Sequence, residues 1–248
     1  MTYRDSYGAS SYCSYDSQFS VLGSQNSKRK GYTMIYGIDV SHHQEFIDWG
    51  MVKKAGARFA FIKASEGVGF SDPMFEENIR GAVEAGVLPG SYHFFLPRYD
   101  PLEQARHYAR TLQENAVDAP TLPPCIDIET PGLGKTGLNQ AVRIFIEEMY
   151  NLTGRRCIIY VSPGFWNSYL PVPVLSGYKL KYSQVDWAVD YPLWLAHYTT
   201  GWPYQIYPWV GWRFWQYTSA GKIAGVATKV DLNFFQGTIE ELFKLGAT

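Results

Sequence analysis

Cysteine is scarce in this chain, which has only Cys13, Cys125 and Cys157. An odd, small number argues against a disulfide framework, and no CxxC or His/Cys spacing suggests zinc. Cys125 and Cys157 open consecutive strands and are read as buried free thiols. A charge of one sign is also lacking. The 22 basic and 23 acidic residues nearly cancel, leaving a net charge of −1. Lys28-Arg29-Lys30 is too short for a phosphate-binding patch, so nucleic acid is not an expected partner. No stretch approaches the roughly 20 apolar residues of a membrane-crossing helix, so no membrane insertion is expected. The N-terminus has no basic start followed by an apolar run, so a Sec-type signal is not expected. Action outside a cell would need another route of export or release.

What the chain has is length and aromatic rings. Its 248 residues are long for an ordinary domain and normal for one α/β barrel. Aromatics make up 17% of it. Rings are ordinary core material, but they also offer flat apolar faces to pyranose C–H groups. Residues 1–33 stand apart, being rich in Ser, Tyr, Gln and Gly and poor in aliphatics. They read as a flexible polar arm, with docking or wall adhesion as its alternative role. Residues 34–248 read as one folded domain, and a start at Met34 would preserve all of it.

From Tyr36 onward the pattern is regular. Strands are expected at 37–41, 59–64, 90–94, 125–129 and 156–161, at intervals of about 30 residues. Helices are expected between them, at 48–55, 74–85, 101–113, 136–153 and 163–169. Asp72-Pro73 and Asp100-Pro101 read as helix starts, and Gly56, Gly86 and Gly154 as helix stops. After Leu170 the rhythm changes. Strands are expected at 193–198, 213–217 and 229–234, with connections rich in Trp, Tyr, Pro and Gly, before a closing helix at 238–245. Alternating strand and helix is the signature of a parallel sheet, and eight parallel-type strands favour closure into a barrel.

The segment Pro123-Pro124-Cys125-Ile126-Asp127-Ile128-Glu129-Thr130 ends its strand in two carboxylates. Side chains alternate along a strand, so Cys125, Asp127 and Glu129 share one face and Ile126 and Ile128 the other. The two acids lie about 6–7 Å apart at Cα, close enough to serve one bond or one metal ion. Barrel active sites lie at the C-terminal strand ends, where Asp39, Asp127, Glu129 and Asp231 are all expected. Glu66 falls just beyond the second strand. Strands one and eight close the barrel, so Asp39 and Asp231 should meet in an acidic bowl. Lys63 is the nearby cation if its face is inward. Oxygen-ligand metal binding and glycoside hydrolysis both fit such a bowl. Six of the eight tryptophans lie between Trp187 and Trp215. That concentration favours a polysaccharide groove over a metal site, and no metal or cofactor is expected.

Six segments then resemble, in order, the glycoside hydrolase family 25 lysozymes, the Chalaropsis-type N-acetylmuramidases. They are Gly37-Ile38-Asp39-Val40-Ser41 with His43-Gln44, Ile62-Lys63-Ala64-Ser65-Glu66-Gly67, Tyr92-His93-Phe94, Asp127-Ile128-Glu129, Trp215-Gln216-Tyr217-Thr218, and Val230-Asp231-Leu232-Asn233. The resemblance spans about residues 36–245. It implies a modified TIM-like (β/α)5(β)3 barrel and cleavage of the β-1,4 bond from N-acetylmuramic acid to N-acetylglucosamine in peptidoglycan. Glu129 matches the family's general acid, Asp127 its partner, Asp39 the first-strand acid and Asp231 the last-strand acid. Glu129, nearest the mouth, is expected to keep its proton through like-charge repulsion, while Asp127 stays ionised. Expected substrate contacts are Glu66, Tyr92, His93, Tyr160, Trp194, Tyr198, Trp215 and Gln216. A monomer acting on bacterial wall, resembling a phage endolysin released by a holin or a lysin carried on a virion, fits these features. A non-catalytic peptidoglycan-binding or virion structural barrel is the alternative.

Overall fold

The structure is a computed structural model that describes residues 27–29, 32–172, 175–176, 179–180 and 184–247. Residues 1–26 of the expected arm, with Cys13, lie outside the described residues. Ser27–Arg29 forms a short strand antiparallel to residues 32–34.

Eight strands close the barrel: β1 (Tyr32–Val40), β2 (Phe59–Glu66), β3 (Leu88–Phe94), β4 (Cys125–Asp127), β5 (Ile158–Val161), β6 (Leu193–Ala196), β7 (Phe214–Gly221) and β8 (Val230–Gln236). Five helices follow the first five strands: α1 (Trp49–Lys54), α2 (Phe75–Glu84), α3 (Pro101–Glu114), α4 (Gly134–Thr153) and α5 (Pro163–Tyr169). A sixth, α6 (Ile239–Ala247), closes the chain. Each strand pairs with its sequence neighbour, and β1 completes the ring by pairing with both β2 and β8. The α/β class and the expected (β/α)5(β)3 pattern are therefore both present. None of the described helices is long and apolar enough to cross a membrane.

Strand direction departs from expectation at one place. Strands β1 to β7 are parallel, but β8 runs antiparallel to both β7 and β1. Without a helix between them, β7 and β8 are joined by a short turn, and a short turn returns the chain in the opposite sense.

Local chemistry sets the helix ends. Asp48 Oδ1 accepts from Met51 N–H (2.9 Å) at the start of α1, and Asp100 Oδ1 accepts from Leu102 N–H (2.8 Å) before Pro101. Gly154 takes the left-handed conformation (φ 70°) that ends α4. Asp72 does less for α2 than expected. One oxygen accepts from Met74 N–H (3.0 Å), while the other binds His42.

Alternation sorts the core into two layers. Ile35, Phe59, Phe61, Leu88, Cys125, Ile158, Trp194, Phe214 and Phe235 fill the barrel, with Leu242 of α6 buried among them. Rings there fit because glycines face them: a Cβ at Gly37 would lie 2.5 Å from the Phe59 ring, and one at Gly90 would lie 2.7 Å from Phe61. The outer layer holds Ile38, Ile62, Ile126, Ile128, Ile159 and Leu195 against the helices. Cys125 and Cys157 are buried free thiols, as expected.

The tryptophans are a correction. Trp194, Trp209, Trp212 and Trp215 are buried, and Trp212 and Trp215 pack 5.7 Å apart on the outer face. The connections 197–213 and 222–229 hold no helix, and the aromatic residues of 197–213 pack on the outer face of β6 and β7 instead. The aromatic concentration is largely packing rather than an open groove.

Candidate active site

The inner face of the barrel carries acids at its mouth. Asp39 lies near the C-terminal end of β1 and Asp127 ends β4. Asp231 lies near the N-terminal end of β8, not at a C-terminal end as expected. Because β8 is reversed, that end sits at the same rim, directly across from Asp39. Glu129 follows β4 by two residues and is exposed, whereas Asp127 is only 6% exposed. The structure thus brings all four expected acids to one mouth. Lys63 joins them, since its face is inward. Its Nζ lies 2.8 Å from Glu66 Oε2 and 5.0 Å above the Phe94 ring.

A hydrogen-bond chain holds Asp39. Its Oδ2 accepts from Gln216 Nε2 (3.0 Å) and from Asn233 Nδ2 (2.7 Å). Gln216 Oε1 accepts from the hydroxyls of Tyr160 (3.0 Å) and Tyr198 (2.8 Å). Asn233 Oδ1 accepts from Trp194 Nε1 (2.8 Å). Asp127 Oδ1, by contrast, is buried with no hydrogen-bond partner.

Burial is the leading cause of the acids' electrostatics. It pushes Asp39 well above the usual carboxylate range, with Asp231 adding to the rise and the Gln216 and Asn233 amides opposing it. Asp231 is pushed up to about 6 by burial and then by Glu129, against a hydrogen bond with Asp39. Asp127 is pushed well up by burial and then by Glu129, with Lys63 opposing. Glu129 is also raised by loss of water, again against Lys63. The expected division is therefore altered. Like-charge repulsion from Glu129 bears on Asp127 and Asp231, and the buried Asp127 is driven from its ionised form at least as firmly as Glu129. Raised in this way, the acids hold their protons to higher pH than ordinary carboxylates do.

The expected substrate contacts divide by face. Tyr92 and Tyr160 point into the barrel beside the acids, and burial keeps both phenols neutral. Glu66 stands at the mouth in its ion pair with Lys63, and Tyr198 is exposed there. Trp194 lies deeper, stacked 4.1 Å from Phe61, so it is a floor rather than a contact surface. Gln216 is buried, and its amide is spent on Asp39 and the two tyrosines. His93 and Trp215 face the outer layer and do not reach the mouth. His93 binds Ser65 Oγ (2.9 Å) and stacks on Phe145, while Trp215 Nε1 donates to His197 O (2.8 Å). Both adjoin inward residues, Tyr92 and Gln216, and alternation sends them the other way. Sequence reasoning missed Asn233 as a site residue, although it lies two positions beyond Asp231 on the same face.

Residues 38–226 match the family model of glycosyl hydrolases family 25. The chain is similar to Lysozyme M1 of Streptomyces globisporus, 34% identical over 219 residues that cover 85% of this chain and 71% of the relative. It is similar to the N,O-diacetylmuramidase of a Chalaropsis species, 29% identical over 230 residues that cover 85% and 98%. Its fold is similar to the crystal structure of the bacterial lysozyme from Streptomyces coelicolor, with a TM-score of 0.70 at 32% identity, covering 86% of this chain and 96% of that one.

Proposed function

The chain belongs to glycosyl hydrolase family 25, and on that premise we propose that it hydrolyses the β-1,4 bond from N-acetylmuramic acid to N-acetylglucosamine, with Glu129 as proton donor. It is a peptidoglycan hydrolase of the lysozyme or muramidase type. The observation that carries the residue assignment is the pairing of an exposed Glu129 with a buried Asp127 whose Oδ1 has no partner.

Glu129 stands where a glycosidic oxygen can reach it, and loss of water favours its protonated form. It gives its proton to the leaving oxygen as the C1–O bond breaks. An unpartnered buried acceptor costs about 1–3 kcal/mol, so Asp127 Oδ1 is a ready acceptor for an amide N–H. The 2-acetamido group of the sugar carries one. That bond favours the ionised Asp127, its proton passing to solvent as the sugar binds, and the carboxylate then faces the oxazolinium formed when the acetamido carbonyl oxygen bonds to C1 as the leaving oxygen departs. Water then adds at C1, returning a proton to Glu129. This route retains the anomeric configuration, whereas Asp127 acting on a water would invert it.

Mass spectrometry of digested wall tests the reaction. Products with a reducing N-acetylmuramic acid end support it, and a reducing N-acetylglucosamine end or no release would overturn it. Proton NMR of the first anomer formed tests the stereochemical course. The protein acts in this reading as a monomer at the bacterial wall, reached through holin release or carriage on a virion. Wall lysis from within or from without distinguishes those two routes.

A further inference from the structure

Asn233 is fully buried, yet both ends of its amide are engaged. Its Oδ1 accepts from Trp194 Nε1 at 2.8 Å, and its Nδ2 donates to Asp39 Oδ2 at 2.7 Å. An indole N–H can only donate. The Trp194 contact therefore fixes which end of the amide is oxygen and leaves only the NH2 to face Asp39. Gln216 sends a second N–H to the same Oδ2 at 3.0 Å. An oxygen that already accepts two N–H donors is a poor place for a proton, so a proton on Asp39 belongs on Oδ1. Asp231 lies directly across the strand pair from Asp39, on the same inward face.

We propose that Asn233, locked by Trp194, is a positioning residue that turns the Asp39 carboxyl so that Oδ1 presents its proton to Asp231. This rests on the reading of the four acids as the hydrolytic centre. The arrangement makes the first-strand and last-strand acids a single proton-sharing pair, with Asp39 as donor and Asp231 as acceptor. The other titratable groups that interact with Asp39 come from other elements: Tyr92 from β3, Cys125, Asp127 and Glu129 from β4 and its end, Tyr160 from β5, and Tyr198 after β6. None of these fixes the Oδ2 side of Asp39, where Asn233 and Gln216 are bound.

The test uses Trp194→Phe and the double variant Trp194→Phe/Asn233→Leu. Phenylalanine keeps a ring against Phe61, which Trp194 stacks on at 4.1 Å. Replacing both partners of the indole–amide bond avoids stranding a buried donor. Loss of the Asn233 donor frees the Asp39 carboxyl to turn, so Asp231 loses the proton donor that favours its ionised form. The acid limb of the pH profile of kcat/KM should therefore move up by about one pH unit in the double variant. Trp194→Phe alone should move it less, in the same direction. The carboxyl 13C shift of Asp39, followed against pH, should move alike, and it reads out whether or not the site turns over substrate. Wild-type activity in Glu129→Gln would remove the hydrolytic reading while leaving that titration intact. A fall in activity by the same factor at every pH, with Asp39 titrating as in the wild type, would overturn the proposal. If the double variant does not fold, Trp194→Phe decides by the same two measurements.

Discussion

Asp231→Asn should make the protein more stable at neutral pH while impairing the site. Burial and Glu129 push Asp231 from the ordinary 3.8 up to about 6. A folded-state value above the unfolded one means that the native protein holds the proton to higher pH. Stability is then lost as pH rises through the window from about 4 to about 6. Below that window both states are protonated and there is no penalty; above it the folded state carries all of it. The rise is about 2 pH units, or about 3 kcal/mol at 1.36 kcal/mol per unit. Part of it belongs to the pair with Asp39 and to Glu129, which can relax, so a gain of about 1–3 kcal/mol is expected at pH 7. The amide keeps the acceptor oxygen that Asp39 needs and removes the charge.

Thermal melts of wild type and Asp231→Asn between pH 3.5 and 7.5, at fixed ionic strength, check this. The curves should coincide at the acid end and separate through the window, with the variant higher by about 2–4 °C for each kcal/mol. Turnover should fall, but by less than in Glu129→Gln. Parallel curves, or a variant less stable at pH 7, would refute the electrostatic reasoning and make Asp231 a structural member of an acid cluster.

Glu129→Gln should keep the wild-type melt and lose about 100- to 10,000-fold in wall turnover, measured by turbidity loss; wild-type-like lysis would end its assignment as proton donor. Gly37→Ala should destabilise by about 1–3 kcal/mol, since its Cβ would sit 2.5 Å from the Phe59 ring, and an unchanged denaturant midpoint would count against the packing described. His93→Ala should lower stability without changing the pH profile. His93 is buried away from the mouth and pushed down to about 3 by burial, so it stays neutral through the working range. A change in the profile would return it to the site. A truncate beginning at Met34 should fold and lyse wall, because Met34 onward holds the β1 pairing with β8; lost activity would give the preceding residues a role.

Most of the barrel was legible because its strands are short apolar runs spaced by helices with clear caps. Asp39, Asp127 and Glu129 were legible through strand alternation, which puts every second residue inside. The same alternation, applied one residue further, would have sent His93 and Trp215 to the outer layer. Strand direction was not legible. Val230–Gln236 reads the same forwards or backwards, since inward and outward residues alternate either way. What decides its direction is the short connection 222–229 before it, since the longer connection 197–213 carries the chain back to a parallel β7 without a helix. That reversal is functionally decisive. In a parallel strand, Asp231 near the N-terminal end would lie at the barrel's closed bottom, and Asn233 would sit nearer the mouth. Reversed, Asp231 meets Asp39 at the rim, and Asn233 lies one layer deeper, between Asp39 and Trp194. The acid at the mouth and the amide that orients its partner are placed by one topological fact, so a change that disturbed the β7–β8 turn should disable the site through Asp39 and Asp231 together.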